Sequence, residues 1–220
     1  AVPQSGGQVM AFGGGNTVDT AYMTQVIGVG NTVKGDQAWT SVAADAKEED
    51  KKAAEESNKN TTQLNYVDGF YTKLTNGKND YLIGAHNTVT GDSVEKNKSN
   101  IVFGDNHTLE NQSNNIIIGS ANTENTVTKA SNAVIIGHNA NASVDDGVAI
   151  GAESVANMGV PTTAGYDPSG ATHKSTDAAW TATKAAVSVG NATKGSNGKF
   201  TGTTRQITNV AAGAEDTDAV

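Results

Sequence analysis

Four histidines and a few clustered carboxylates are the side chains of this sequence with evident chemical reach. His86, His107 and His138 fall two, three and one residues after a recurring glycine, and His173 stands apart. Offset in this way they do not share one ridge, and their spacing is not that of metal ligands. They read as solvent-facing turn residues. The acidic groups Glu48-Glu49-Asp50, Asp145-Asp146 and Glu215-Asp216 are neighbours along the chain. General acid–base work needs two carboxylates converging on one pocket, so these read as turn and helix-surface residues. No P-loop, no Gly-x-Ser-x-Gly elbow and no Gly-Gly-x-Gly-x-Asp calcium repeat is present. The chain has no cysteine, which excludes disulfides, thiolate zinc sites and thiol catalysis. The sequence therefore offers no catalytic residue, no metal ligand and no cofactor site.

The elements that carry these residues are legible in the composition. Leu occurs four times, Val 21 times and Ile ten times, while Asn and Thr together supply 50 of 220 residues. A helical bundle needs many straight-chain apolar residues, and this chain lacks them. The mixture suits β-structure with many tight turns. Leu, Ile, Val and Phe amount to 39 residues, low enough that disorder is a rival reading unless the arrangement is regular. The net charge is −8 and there is no basic stripe, which argues against nucleic acid and anionic lipid as partners. No stretch is apolar enough to span a membrane as a helix. The first residues carry no signal-peptide pattern, so an exported protein would be represented here in mature or excised form.

The arrangement is regular. A short apolar run ending in Gly recurs eight times: Met10–Gly13, Gln25–Gly28, Tyr81–Gly84, Ile101–Gly104, Ile116–Gly119, Val134–Gly137, Val148–Gly151 and Val187–Gly190. The glycines are 15, 56, 20, 15, 18, 14 and 39 residues apart, which reads as a unit of about 14 residues with two large and several small insertions. Such a unit holds two short strands and two turns. Stacked units would pair strand on strand at about 4.8 Å per coil, giving a β-solenoid stabilised largely by its neighbours.

Side chains alternate along a strand. Positions one and three of each triplet face one way, and position two, as in Val26, Leu82, Val102, Ile117 and Ile135, faces the other. Both sets are largely aliphatic, so both faces should be buried. A coil this small encloses one narrow core, and the second face requires a partner, most simply further copies of the chain. The middle residues Val26, Leu82, Val102, Ile117 and Ile135 are the expected inter-chain contacts.

Two insertions interrupt the pattern. The segment 36–80 reads as a helix over 43–58, supported by Glu48 and Lys52 at i,i+4. A hairpin follows, Leu64–Val67 and Phe70–Leu74 about an Asp68-Gly69 turn. Trp39, Tyr66, Phe70 and Tyr71 fall in this segment, and aromatics on a protruding hairpin are good anchors. They are the candidate ligand-binding residues; the competing reading packs them onto the roll. The second insertion, 158–186, holds Pro161, Tyr166-Asp167-Pro168, His173 and Trp180. The resulting organisation is 1–35 N-terminal repeats, 36–80 insertion, 81–157 further repeats, 158–186 second insertion, 187–203 last repeat and 204–220 terminal segment.

The repeat ending in Val148-Ala149-Ile150-Gly151 resembles the head repeat of trimeric autotransporter adhesins, the YadA-like head. The stretch Thr204–Val220, Thr-Arg-Gln-Ile-Thr-Asn-Val-Ala-Ala-Gly at its heart, is similar to that family's neck motif. Gly165-Tyr166-Asp167-Pro168 with Trp180 is similar to an insertion of these heads. The helix-containing segment 36–80 matches nothing comparable. The resemblance implies an all-β, left-handed parallel β-roll assembled as a homotrimer on the surface of a Gram-negative bacterium. It further implies a coiled-coil stalk and a C-terminal outer-membrane anchor, neither present in this chain. It places Arg205, Gln206, Asn209 and Asp216 in the neck, and implies non-catalytic attachment to a host or bacterial surface protein or glycan.

An enzyme alternative fails on spacing. Left-handed β-helix acyltransferases repeat an aliphatic residue every six positions, but six residues after Ile118 stands Glu124, and six after Ile136 stands Ala142. Two readings remain open, an adhesin head and a rigid spacer that holds a binding segment elsewhere.

Overall fold

The structure, a computed structural model, describes residues 8–123, 126–167, 169–211 and 213. Nine short strands lie side by side in one parallel front sheet, in chain order. They are Met10–Phe12, Gln25–Val29, Tyr66–Phe70, Tyr81–Ala85, Ile101–Phe103, Ile116–Ile118, Val134–Ile136, Val148–Ile150 and Val187–Ser188. A parallel back sheet of six strands runs opposite: Thr17–Asp19, Thr32–Lys34, Lys73–Thr75, Thr88–Thr90, His107–Glu110 and Thr126–Thr128. Asn141–Ala142 and Val155–Ala156 pair beyond it. The chain climbs one coil at a time, front strand then back strand, and is a parallel β-solenoid.

The core is a single file of side chains. Val26, Val67, Leu82, Val102, Ile117 and Ile135 of the front sheet meet Val18, Val33, Leu74, Val89 and Leu109 of the back sheet. Each is an interior residue of its strand, and the period of two brings it inward. Toward the C-terminal end the file shrinks to Ala140, Ala142, Ala149 and Ala156.

Two columns of amides hold the corners. The residue just before six of the nine front strands forms a buried column: Thr24, Asn65, Asp80, Asn100, Asn115 and Ala133. From Asn65 to Asn115 the side chain of each rung accepts a backbone N–H from the next. Asp80 N–H donates to Asn65 Oδ1 at 3.0 Å, Asn100 N–H to Asp80 Oδ1 at 2.8 Å, and Ala133 N–H to Asn115 Oδ1 at 2.9 Å. The trailing column, three residues after each front-strand glycine, holds Asn16, Asn31, Thr72, Asn87 and His107. There Asn31 N–H donates to Asn16 Oδ1 and His107 N–H to Asn87 Oδ1, both at 3.0 Å. Side-chain donors of the same residues reach the carbonyl of the next coil's glycine, as Asn31 Nδ2 does to Gly69 O at 2.7 Å and Asn87 Nδ2 to Gly104 O at 2.7 Å. Buried backbone groups at a corner need partners, and these amides supply them in both polarities. The glycines are required by the same stacking. Gly28 has φ +109, and a β-carbon there would overlap the Gly69 carbonyl.

The segment expected as a hairpin is a ninth coil. Tyr66–Phe70 pairs in parallel with Gln25–Val29 on one side and Tyr81–Ala85 on the other. Lys73–Thr75 lies between Thr32–Lys34 and Thr88–Thr90 of the back sheet. Val67 and Leu74 are apolar mid-strand residues that a two-stranded ribbon would leave half-wet, and in the roll both are fully buried. Asp68-Gly69 is therefore not a hairpin turn; Gly69 takes the place of the strand-ending glycine. The true insertion is shorter, and the helix occupies Glu48–Asn58 rather than 43–58. Its ion pairs stand at i,i+3 rather than i,i+4, Lys51 with Glu48 at 3.0 Å and Lys59 with Glu56 at 2.5 Å. The insertion is tied down where it leaves and rejoins. Asn58 Nδ2 donates to Thr40 O at 2.9 Å, and Ala21–Tyr22 pairs with Thr62–Gln63.

Candidate functional site

Two features of the surface follow from strand alternation. On the outer side of the front sheet the first triplet residues align as Met10, Gln25, Tyr66, Tyr81, Ile101, Ile116, Val134, Val148 and Val187. The third residues align as Phe12, Ile27, Asp68, Ile83, Phe103, Ile118, Ile136 and Ile150. Phe12 is 71% exposed, Met10 53%, Val187 64%, and Ile83, Phe103, Ile116, Ile118, Ile136 and Ile150 are about two-fifths exposed. Eight steps of about 4.8 Å make this strip about 38 Å long. Gln25 and Asp68 interrupt it, but the rest is apolar, and an apolar surface of this extent marks an interaction face.

The expected contact residues lie on the other side. Val26, Leu82 and Val102 have no exposed surface in the single chain, and Ile117 and Ile135 are 1% exposed. They fill the coil's own core, and a side chain with no surface left cannot touch a second chain. The alternation holds, but its two faces are exchanged. The flanking positions one and three form the open face.

The four candidate aromatics do not converge. Trp39 sits at the insertion, its ring 5.4 Å from that of Tyr22, and its backbone N–H donates to the Tyr22 hydroxyl at 2.8 Å. Tyr66 belongs to the first column of the front strip. Only Phe70 and Tyr71 touch, edge to face at 4.6 Å. His86 of the next coil joins them, its ring nearly parallel to Tyr71 at 6.1 Å. Tyr71 and His86 occupy the same left-handed turn position in successive coils, with φ 50° and 56°, and this register stacks the rings. The cluster lies at the trailing corner of the front sheet, with Phe70 and Tyr71 about half exposed.

His107 is not a surface turn residue. It is a buried rung of the trailing column, and its Nε2 meets Gly119 O at 2.6 Å. Burial holds its pKa below the usual imidazole value, against the opposing pull of the Gly119 carbonyl and Asp105. In the second insertion His173 stacks on Trp180 at 3.4 Å and bonds Asp167 Oδ2 at 2.8 Å. The hydrogen bond from His173 draws the Asp167 carboxyl below its ordinary range. Lys184 Nζ donates to Asp146 Oδ2 at 2.7 Å, joining this insertion to the roll.

Of the neck residues, Arg205 reaches furthest back. Its guanidinium donates to Ser154 Oγ at 3.0 Å, to Ala152 O at 2.5 Å and to Val189 O. It packs over Gly151, where every earlier glycine of the column faces the carbonyl of a following glycine. Gln206 and Asn209 are exposed. Asp216 lies outside the described residues. Among the described residues no group of three or more His, Asp or Glu is placed to hold a metal ion, and no helix is long and apolar enough to cross a membrane.

Sequence reasoning missed the ninth coil, the true outer face and the two corner columns. A signal for the columns was present: Asn or Asp stands immediately before the strands at 66, 81, 101 and 116. No family model matches the chain, and no curated protein matches it. The class is thus defined by geometry, a parallel β-solenoid with one open apolar face.

Proposed function

We propose that this chain is the head of a homotrimeric bacterial surface adhesin, a rigid non-catalytic roll that presents binding surfaces to host or neighbouring cells. The carrying observation is the apolar strip on the outer side of the front sheet, which a lone chain leaves in water. Three copies packed about an axis would bury it. The resemblance of the repeats and of Thr204–Val220 to YadA-like heads and necks supports a left-handed roll with a unit of about 14 residues. It also supports display on a Gram-negative outer membrane through a stalk and anchor. Each copy carries −8, so the trimer carries 3 × (−8) = −24 and favours attachment through short-range contacts rather than long-range attraction to acidic surfaces.

The test reads assembly and attachment separately. Light scattering should give a trimer for the wild-type chain, and Ile118→Asp should shift it strongly toward monomer, because an unpaired carboxylate buried at an interface costs several kcal/mol. A wild-type chain that is folded and monomeric, both alone and fused to a trimeric coiled coil, overturns the assembly. The trimer is then applied to matrix proteins, glycans and cells. Attachment by this segment supports the adhesin; attachment only by other segments of the same fibre makes the roll a spacer.

A further inference from the structure

One rung of the leading column is chemically unlike the others. At Asn65 and Asn100 the amide works twice. Its Oδ1 accepts from the next rung, and its Nδ2 donates to a carbonyl, Gly77 O at 2.8 Å and Gln112 O at 2.9 Å. Between them stands Asp80, with no exposed surface. Its Oδ1 does the accepting, from Asn100 N–H at 2.8 Å and Asn100 Nδ2 at 3.1 Å. Its Oδ2 occupies the position of the donor and makes no hydrogen bond. That oxygen is wedged beside Gly77 and Leu74, where a β-carbon on Gly77 would come within 2.6 Å of it.

An ionised carboxylate has only acceptors, and a buried one without a counter-charge is costly. A neutral carboxylic acid carries an O–H in place of one acceptor and removes the buried charge. No ammonium compensates. Lys78 turns its Nζ to the Lys59 carbonyl, and Lys98 pairs with Glu95. Tyr66, Asp68 and Tyr81 belong to the outer side of the front sheet. The groups that favour the charged form are neutral, the backbone and side chain of Asn100 and the backbone of Lys78, and desolvation outweighs them. The carboxyl is pushed up to about 7.

We propose that Asp80 is a proton-dependent rung: protonated, it sits in the column without a buried charge; ionised, it weakens the coils on either side. The roll around residues 65–100 therefore tightens on mild acidification and loosens as pH rises through neutrality. The sign follows from proton binding. Between the unfolded and folded pKa values the folded state holds the extra proton, so stability is full at low pH and is lost as pH rises through about 7.

The experiment compares unfolding of the intact wild-type chain and Asp80→Asn from about pH 5 to about pH 8.5. The amide variant keeps the rung without the proton. Relative to it, the wild-type unfolding constant should rise roughly a hundred-fold across that interval. A difference between the two proteins that is the same at both pH values overturns the proposal. The second readout needs no variant to fold better. In wild type labelled with 13C-aspartate, one carboxyl resonance should titrate near neutrality, and it should be absent from Asp80→Asn if that variant folds. Titration of every aspartate near about 4 overturns the proposal whatever the variant does.

Discussion

At the scale of single residues, the roll is held by small polar side chains whose donor and acceptor placement is fixed by position. His107 shows how narrow the choice is. It stands in the trailing column where Asn16, Asn31 and Asn87 place an amide, and its ring reaches the Gly119 carbonyl as those amides reach theirs. Its pKa is lowered by burial, so the folded state resists the second proton. The stability this residue contributes is present above the unfolded imidazole value and is lost as pH falls below it. His107→Asn, which retains a donor, should therefore lose less stability than wild type between about pH 7.5 and about pH 5. Thermal unfolding at the two pH values checks this, and equal losses would assign the acid sensitivity elsewhere. The dependence is opposite in sign to that of Asp80.

At the scale of elements, the repeat was legible because each apolar triplet ends in a glycine that the stacking demands. Where the triplet itself was altered, the reading failed. Tyr66-Val67-Asp68-Gly69 has an acidic third residue, and Asp-Gly is a strong local turn signal. Nothing within that segment says that its neighbours in space lie about 40 residues before and 15 after in sequence. The exchange of inner and outer faces has a related cause. Ile116, Ile117 and Ile118 are chemically identical, so composition cannot assign inside and outside; only closure of the coil on Leu74, Val89 and Leu109 does. The ninth coil makes a measurable difference. Val67→Ala should destabilise the whole roll by about 2 kcal/mol, through a cavity between Val26 and Leu82. Tyr71→Ala, at the half-exposed corner, should cost well under that. Urea unfolding separates the two, and equal small effects would return the segment to a peripheral hairpin.

At the scale of the whole molecule, a solenoid is as firm as its ends, since each coil leans on the next. Arg205 terminates the glycine column by covering Gly151 and bonding Ser154, Ala152 and Val189. Arg205→Ala should let the last coils open first. Hydrogen exchange should quicken across residues 148–156 while residues 66–90 stay protected; uniform exchange across both would deny the guanidinium this role. The front sheet has one further property. Successive front strands stay in register although the chain between them ranges from a bare coil to the detour that carries the helix Glu48–Asn58. The larger detours depart beside the back strands, after Lys34, after Thr90 and after Ala156. In most sheets a gained or lost residue slips a strand and turns its inner side outward. Here such an edit beyond a back strand changes only how much chain hangs from the far side, and the apolar face of the front sheet keeps its alignment across insertions and deletions.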